Sequence, residues 1–345
     1  VINFMANTDA MATYWNTPQY HGQLLTIGLT EKNCRFLNMI GGLGGMGPAG
    51  GMRTTGVLKF PLNSENAFDS PSQQDITEDE TKATPTARNY DRAQSEYNYI
   101  QIFHRGVGAT YLAQSATKAL SGLSIVGNVE DPNDPWADNL NMNLRQMAID
   151  IEYHMLNGQF NESAASTEAS RMAGLFAQQD KDGNAVHTLN TNKVDASADA
   201  LTTDDVDALI LLLKETSYAP MENMVIVGRY SALKTLTDLY GTAVMAGPTN
   251  TIGTVYGQIN QIITEGGRFP LVEVPQCPPN ELGFLDLKYL SPVFMPVPER
   301  NGRPGGILFY EPISKVGAAD QGQIYCQISL DYTSEHYHGK IYNFT

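Results

Sequence analysis

Gly42-Leu43-Gly44-Gly45-Met46-Gly47 has the spacing G-x-G-x-x-G. In a dinucleotide-binding unit those glycines bring a pyrophosphate onto the N-terminus of the helix they open. The chemistry therefore needs a strand before the run and a helix starting near Gly47. The preceding CRFLNMI reads as a strand. On the other side, Pro48-Ala49-Gly50-Gly51-Met52-Arg53-Thr54-Thr55-Gly56 makes a poor first helical turn. Asp69 lies at the distance of a ribose-binding acid, but no helix separates it from the glycines. Glycine here is expected to give backbone freedom or close approach, in a mobile, extended arm.

Other groupings of reactive side chains fare no better. Asp150, Glu152 and His154 are metal-ligating types, but a spacing of two sends them to diverging sides of a helix, so a solvated face is expected. Asp180-Lys181-Asp182-Gly183-Asn184 opens like a calcium loop, yet its glycine is fourth rather than sixth and no acid stands at the twelfth position. A plain turn is expected. His336 and His338 would share one face of a strand, with Glu335 pointing away and no third ligand beside them. Ordinary surface or interface histidines are expected there. G-x-S-x-G, H-E-x-x-H and the P-loop pattern are all missing. No catalytic, cofactor-binding or metal-binding residue is assigned, no cofactor is expected, and an enzyme is not expected. Cys34, Cys277 and Cys326 form neither a C-x-x-C pair nor an even set, so a reduced, cytosolic setting is the default.

The elements that would have to position such residues are uneven. Residues 1–56 mix short apolar clusters with Gly, Asn and Thr and show no sustained period. Leu58, Phe60 and Leu62 alternate as in a strand, and Tyr97–Phe103 is β-prone. Between them, residues 63–96 are polar, acidic and nearly free of aliphatics, which predicts a long hairpin with a polar tip. A lone ribbon is marginal in water, so it must lie on something else, a neighbouring chain included. Asp134 and Pro135 then cap a helix over residues 135–157. Its apolar stripe is Trp136, Leu140, Leu144, Met147, Ala148, Ile151 and Met155, and Gly158 ends it. From residue 202 an α/β region begins. Thr203 and Ser231 are its expected helix caps, Met224–Gly228 a buried strand, and Leu271–Pro275 and Leu282–Leu287 further strands. Gln323–Tyr332 alternates cleanly near the end.

Composition bounds the rest. The chain has 345 residues, 42% of them hydrophobic, enough for one large domain or two smaller ones. The formal charge is −15, and phosphate contact needs Lys and Arg, so direct nucleic-acid binding is disfavoured. Residues 1–60 carry Lys32, Arg35, Arg53 and Lys59 against Asp9 and Glu31, too slight an excess to make a nucleic-acid arm. No apolar run reaches bilayer length and no signal peptide is visible. The chain begins Val1-Ile2-Asn3 without an initiator methionine, which leaves a leading segment trimmed, cleaved or unseen.

The order of parts is the most informative feature: glycine-rich arm, long hairpin, long helix, α/β region, returning strands. With NYIQIFHRGVGAT, LNMNLRQMAIDIEYHMLNG, RMAGLF, NMVIVGRYSALKTLTDL, GGRFPLVEVP and the terminal HYHGK, it resembles the major capsid proteins of tailed bacteriophages, the Hong Kong ninety-seven fold. The resemblance implies an α+β phage capsid fold. Residues 1–56 would be the N-arm and 57–103 the E-loop. Residues 104–201 would be the P-domain with spine helix 135–157, 202–290 a compact α/β A-domain, and 291–345 returning strands of both domains. It implies self-assembly through hexamers and pentamers into an icosahedral head shell enclosing double-stranded DNA. The shell would be assembled in the host cytoplasm and located in the virion. Cement or decoration, scaffold and portal proteins would be its partners, with weak non-specific contact to packaged DNA and no membrane. An encapsulin-like compartment protein and an unrelated α/β nucleotide-binding enzyme are the alternatives.

Some members of this fold join subunits through a lysine–asparagine isopeptide bond. Lys59 and Lys82 are the hairpin lysines available for it. Lys82 follows Glu78, Asp79 and Glu80, which keep it protonated, and Lys59 is the better of two poor nucleophiles. A non-covalent shell is expected.

Overall fold

The structure, a computed structural model, describes residues 34–42, 46–62, 73, 75–84, 97–115, 135–163, 165–177, 182, 192–245, 261–264, 266–300, 305–314 and 317–345. The calcium-like stretch lies outside these residues except for Asp182, as do residues 43–45 of the glycine run and most of the polar segment 63–96.

The apolar run before the glycines is a helix rather than a strand: α1 covers Arg35–Met39. Five residues are too few to show a helical period, so the sequence pattern could not separate the two. A tight hairpin comes next, β1 (Met46–Gly47) against β2 (Gly50–Gly51). Then come β3 (Arg53–Thr54), β4 (Lys59–Pro61), β5 (Tyr97–Tyr99) and the longer β6 (Gln101–Thr110), which runs into the short α2 (Tyr111–Ser115). β4 and β5 pair antiparallel as a ribbon, with Phe60 opposite Asn98.

The long helix α3 spans Pro135–Asn157, where its caps and stripe place it. Met147, Ile151, Met155 and Leu156 are buried, whereas Leu140 and Leu144 are only half-buried against the same core. Gly158 follows the last helical residue, where a Cβ would lie 2.4 Å from the His154 carbonyl oxygen and only glycine fits. α3 packs over β6 and the 13-residue β14 (Ala319–Asp331). β14 organises a five-stranded sheet. It pairs with β6 along one edge, and with β12 (Ser291–Phe294) and β13 (Leu308–Pro312) along the other, while β3 joins β12 in parallel. The alternation read in its sequence is real: Ile324, Cys326, Ile328 and Leu330 are all buried in the α3 core.

A six-stranded sheet makes the second layer, in the order β7 (Lys193–Asp195), β15 (Gly339–Tyr342), β11 (Glu281–Asp286), β8 (Met224–Gly228), β10 (Gly267–Glu273), β9 (Gln261–Thr264). Two helices cover one face. α4 (Thr203–Leu211) is capped by Thr202, not Thr203: Thr202 Oγ1 accepts the Asp205 amide and the Asp205 carboxylate accepts the Thr202 amide. α5 runs over Tyr230–Met245, so Ser231 lies inside it rather than capping it. Val206, Leu209, Leu213 and Leu236 bury against Ile226, Leu282, Phe284 and Ile341. The opposite face, through Val227 and Leu285, joins the α3 core. β8 is thus covered on both sides, which is why MVIVG is apolar throughout.

Candidate functional site

The glycine run serves backbone geometry. The element before it is a helix and the element after it a β-turn, the reverse of what a dinucleotide site requires. Gly42 and Gly50 sit at φ +61° and +103°, and a Cβ on Gly47 would lie 2.3 Å from the Ile40 carbonyl oxygen. The chain folds back on α1 so closely that only glycine fits at Gly47.

The Asp150–Glu152–His154 set does not converge, and among the described residues no group of metal-ligating side chains does. Asp150 pairs with Arg105 of β6 at 2.6 Å. His154 Nδ1 lies 2.7 Å from the Asp150 carbonyl oxygen. Glu152 corrects the expectation of a solvated face: it is fully buried. Its Oε2 accepts the Leu37 amide at 2.9 Å, so the spine of the molecule caps α1. Phe36, Leu37 and Ile40 are buried beside it in the α3 core. Arg35 reaches away to Glu273, at 3.3 Å from its carbonyl oxygen and 3.7 Å from its carboxylate. Further along, Arg53 pairs with Asp331 of β14.

The ribbon is rooted in its own chain. Asn98, fully buried, donates to the Leu330 carbonyl at 2.7 Å and accepts the Ala173 amide at 3.0 Å. Ser170 Oγ donates to the Ile100 carbonyl at 3.0 Å. Lys59 bonds both oxygens of Glu162, at 3.1 and 3.3 Å, and lies 4.7 Å from the centre of the Tyr97 ring. The hydrogen bond that Lys59 donates to Glu162 raises the Lys59 pKa, so the group is held as an ammonium and is a poor nucleophile. Lys82 pairs with Asp79 at 2.7 Å in the exposed tip. Around the ribbon's root Val57, Leu58, Tyr97 and Ile102 stand exposed, and Leu211, Tyr218, Tyr230 and Ile263 do so on the six-stranded layer. Between β6 and α3 lies a cleft lined by Phe103, Arg105, Gly106, Asn143, Met147 and Asp150.

The two C-terminal histidines do not share a strand face, because Glu335–Tyr337 is a 3₁₀ turn. His338 is not a surface histidine: it is fully buried. Its Nδ1 accepts the Asp286 amide at 3.2 Å, which leaves Nε2–H to donate to the Tyr332 carbonyl at 3.1 Å. Burial pushes its pKa down to about 4, so it is a neutral structural brace with both nitrogens in use. Lys340, also fully buried, donates to the Phe176 carbonyl at 3.0 Å and stands 3.5 Å from Glu281. The three cysteines are free thiols. Burial raises Cys326 to about 12 and Cys34 to about 11, with the Glu152 charge a second cause at Cys34, so neither is reactive. Among the described residues no helix is long and apolar enough to cross a membrane.

The fold of ribbon, long helix and two sheets is similar to that of several solved shell proteins. The cyanophage A-1(L) capsid asymmetric unit superposes with a TM-score of 0.60 at 12% identity, over 96% of this chain and 99% of that one. The capsid of an empty GTA particle matches at 0.53 and 11%, over 100% of both chains. The holo-SrpI encapsulin complex from Synechococcus elongatus PCC 7942 matches at 0.53 and 13%, over 98% of this chain and 95% of that one. Likeness at such identities shows the fold alone, the one these capsid and encapsulin shells share. Sequence decides the family. The model for the SU10 major capsid protein matches residues 7–345, and the chain belongs to that family. It is a shell protein of a phage head, self-associating and located in the capsid of the virion. No curated protein matches its sequence.

Proposed function

We propose that the chain builds an icosahedral head from hexamers and pentamers, enclosing double-stranded DNA, with a purely structural role and no enzymatic one. In this reading residues 1–56 are the N-arm and 57–103 the E-loop. Residues 104–201 are the P-domain around its spine helix, 202–290 the A-domain, and 291–345 strands returning through both. The observation that carries it is the hairpin root. Asn98 fixes the ribbon to β14, while Val57, Leu58, Tyr97 and Ile102 beside it remain exposed. Such side chains, joined to a polar segment with almost nothing to bury, suit a neighbour's surface better than solvent. The exposed apolar residues of the six-stranded layer suit contacts around a capsomer axis. Assembly takes place in the host cytoplasm, with scaffold, portal and cement proteins as partners. Contact with packaged DNA is weak and non-specific, as a chain of charge −15 requires.

Lys59, held as an ammonium by Glu162, supports a non-covalent shell. Nuclease-treated particles from an infected host test the reading. Protected double-stranded DNA, with this chain as a single denatured band near its mass of 37.7 kDa, is expected. Particles holding a cargo protein and no DNA would favour an encapsulin-like compartment instead. A ladder of multimers surviving denaturant and reductant would overturn the non-covalent account.

A further inference from the structure

The contact between Glu152 and α1 does more than cap a helix. The first turn of a helix presents amides without intrahelical partners. Here the Leu37 amide is satisfied at 2.9 Å by a carboxyl group 115 residues further along the chain, in the last two turns of α3, and the Phe36 amide acts on the same group. That carboxyl is fully buried, and among the described residues its Oε1 has no hydrogen-bond partner. Among the described residues no basic side chain acts on it, and the two amides oppose its desolvation.

We propose that Glu152 is a proton-operated latch that fastens the N-terminal segment to the spine helix when neutral and loosens it when ionised. Burial pushes its pKa up from an ordinary 4.5 to about 7, against the two amide hydrogen bonds. Lifting α1 returns the carboxyl to water and to its ordinary range. The docked segment therefore binds a proton that the lifted one does not, between those two values. Docking is tightest at low pH, weakens as the pH rises toward 7, and changes no further above it.

The surrounding groups do not supply this dependence. The Cys34 thiol of the segment itself is held protonated, by burial first and the Glu152 charge second. Cys277, from the loop after β10, is raised by burial, then by Glu152 and Glu281, with Arg229 opposing. Both thiols stay protonated throughout the range in which Glu152 titrates. On the segment, Arg35 turns to Glu273; on α3, Asp150 is tied to Arg105. Phe36, Leu37 and Ile40 fix where the segment docks; the carboxyl sets how firmly.

The latch depends on this contact and not on assembly into a shell, so its test is read on the purified full chain. Amide hydrogen exchange over residues 36–42 is measured from pH 5.5 to 8 and corrected for intrinsic exchange. Protection is expected to fall by at least about tenfold across that range, since each pKa unit is a tenfold change in the linked equilibrium. Protection of β14, the internal reference, should stay level. In Glu152→Gln, which keeps an acceptor and cannot ionise, the profile over 36–42 should be flat. Glu273→Gln should keep the wild-type slope. A level wild-type profile, an equal fall in β14, or an unchanged slope in Glu152→Gln would overturn the latch. The first two readings need only the wild-type chain, so a poorly folding variant leaves the test intact.

Discussion

At the scale of single residues, the buried polar groups behave as braces, and they respond to pH in different ways. His338 is neutral when folded, with a pKa near 4 against an ordinary 6.5. Between those values the unfolded chain binds a proton that the folded one refuses, so stability drops as the pH falls through that window. The expected outcome is a melting temperature that declines from pH 7 to 4.5 less steeply in His338→Gln than in the wild type; equal slopes would contradict the assignment. Lys340 and Glu281 make a different case. Burial lowers the lysine and raises the carboxylate, and they stand 3.5 Å apart. Removing one partner strands the other, at about 3 kcal/mol, whereas Lys340→Met with Glu281→Leu should cost well under the sum of the two single changes. Denaturant titration of the four proteins checks this, and simple additivity would refute it. None of these braces is legible in sequence. For Glu152, His338 and Lys340, local spacing gives a face of an element but not what covers it. Their partners, Leu37, Asp286 and Phe176, lie far away in the chain.

At the scale of elements, legibility goes with length and punctuation. α3 carries a proline start, a glycine stop and a sustained stripe, so its bounds can be read directly. β14 and β8 are legible from clean alternation and from continuous apolarity. α1 is not, because an apolar helix of five residues and a strand look alike. The β6 strand extends past Phe103 to Thr110 through Gly106 and Gly108, whose weak β-propensity hides it. The hairpin supplies the prediction at this scale. Its root is fixed by Asn98 and buries Phe60, Leu62 and Ile100, while residues 64–95 contribute almost no apolar side chains by sequence. Deleting residues 64–95 should therefore leave circular dichroism and melting temperature nearly unchanged and abolish stable shells. Wild-type particles from the deletion, seen by sedimentation, would remove the tip from the assembly account.

At the scale of the whole molecule, two apolar cores meet through the six-stranded sheet, yet large apolar side chains remain exposed on both layers. A monomer has little use for Tyr218 at 80% exposure or Leu112 at 68%. A subunit that buries them against copies of itself does. A formal charge of −15 disfavours tight contact with nucleic acid. The measurement closest to the central claim is electron microscopy of the chain expressed and purified alone. Closed shells of uniform diameter, with both six-fold and five-fold capsomers in the averaged images, are the predicted result. A monodisperse 37.7 kDa monomer that never assembles, and that binds NAD or ATP with a saturable signal, would contradict it.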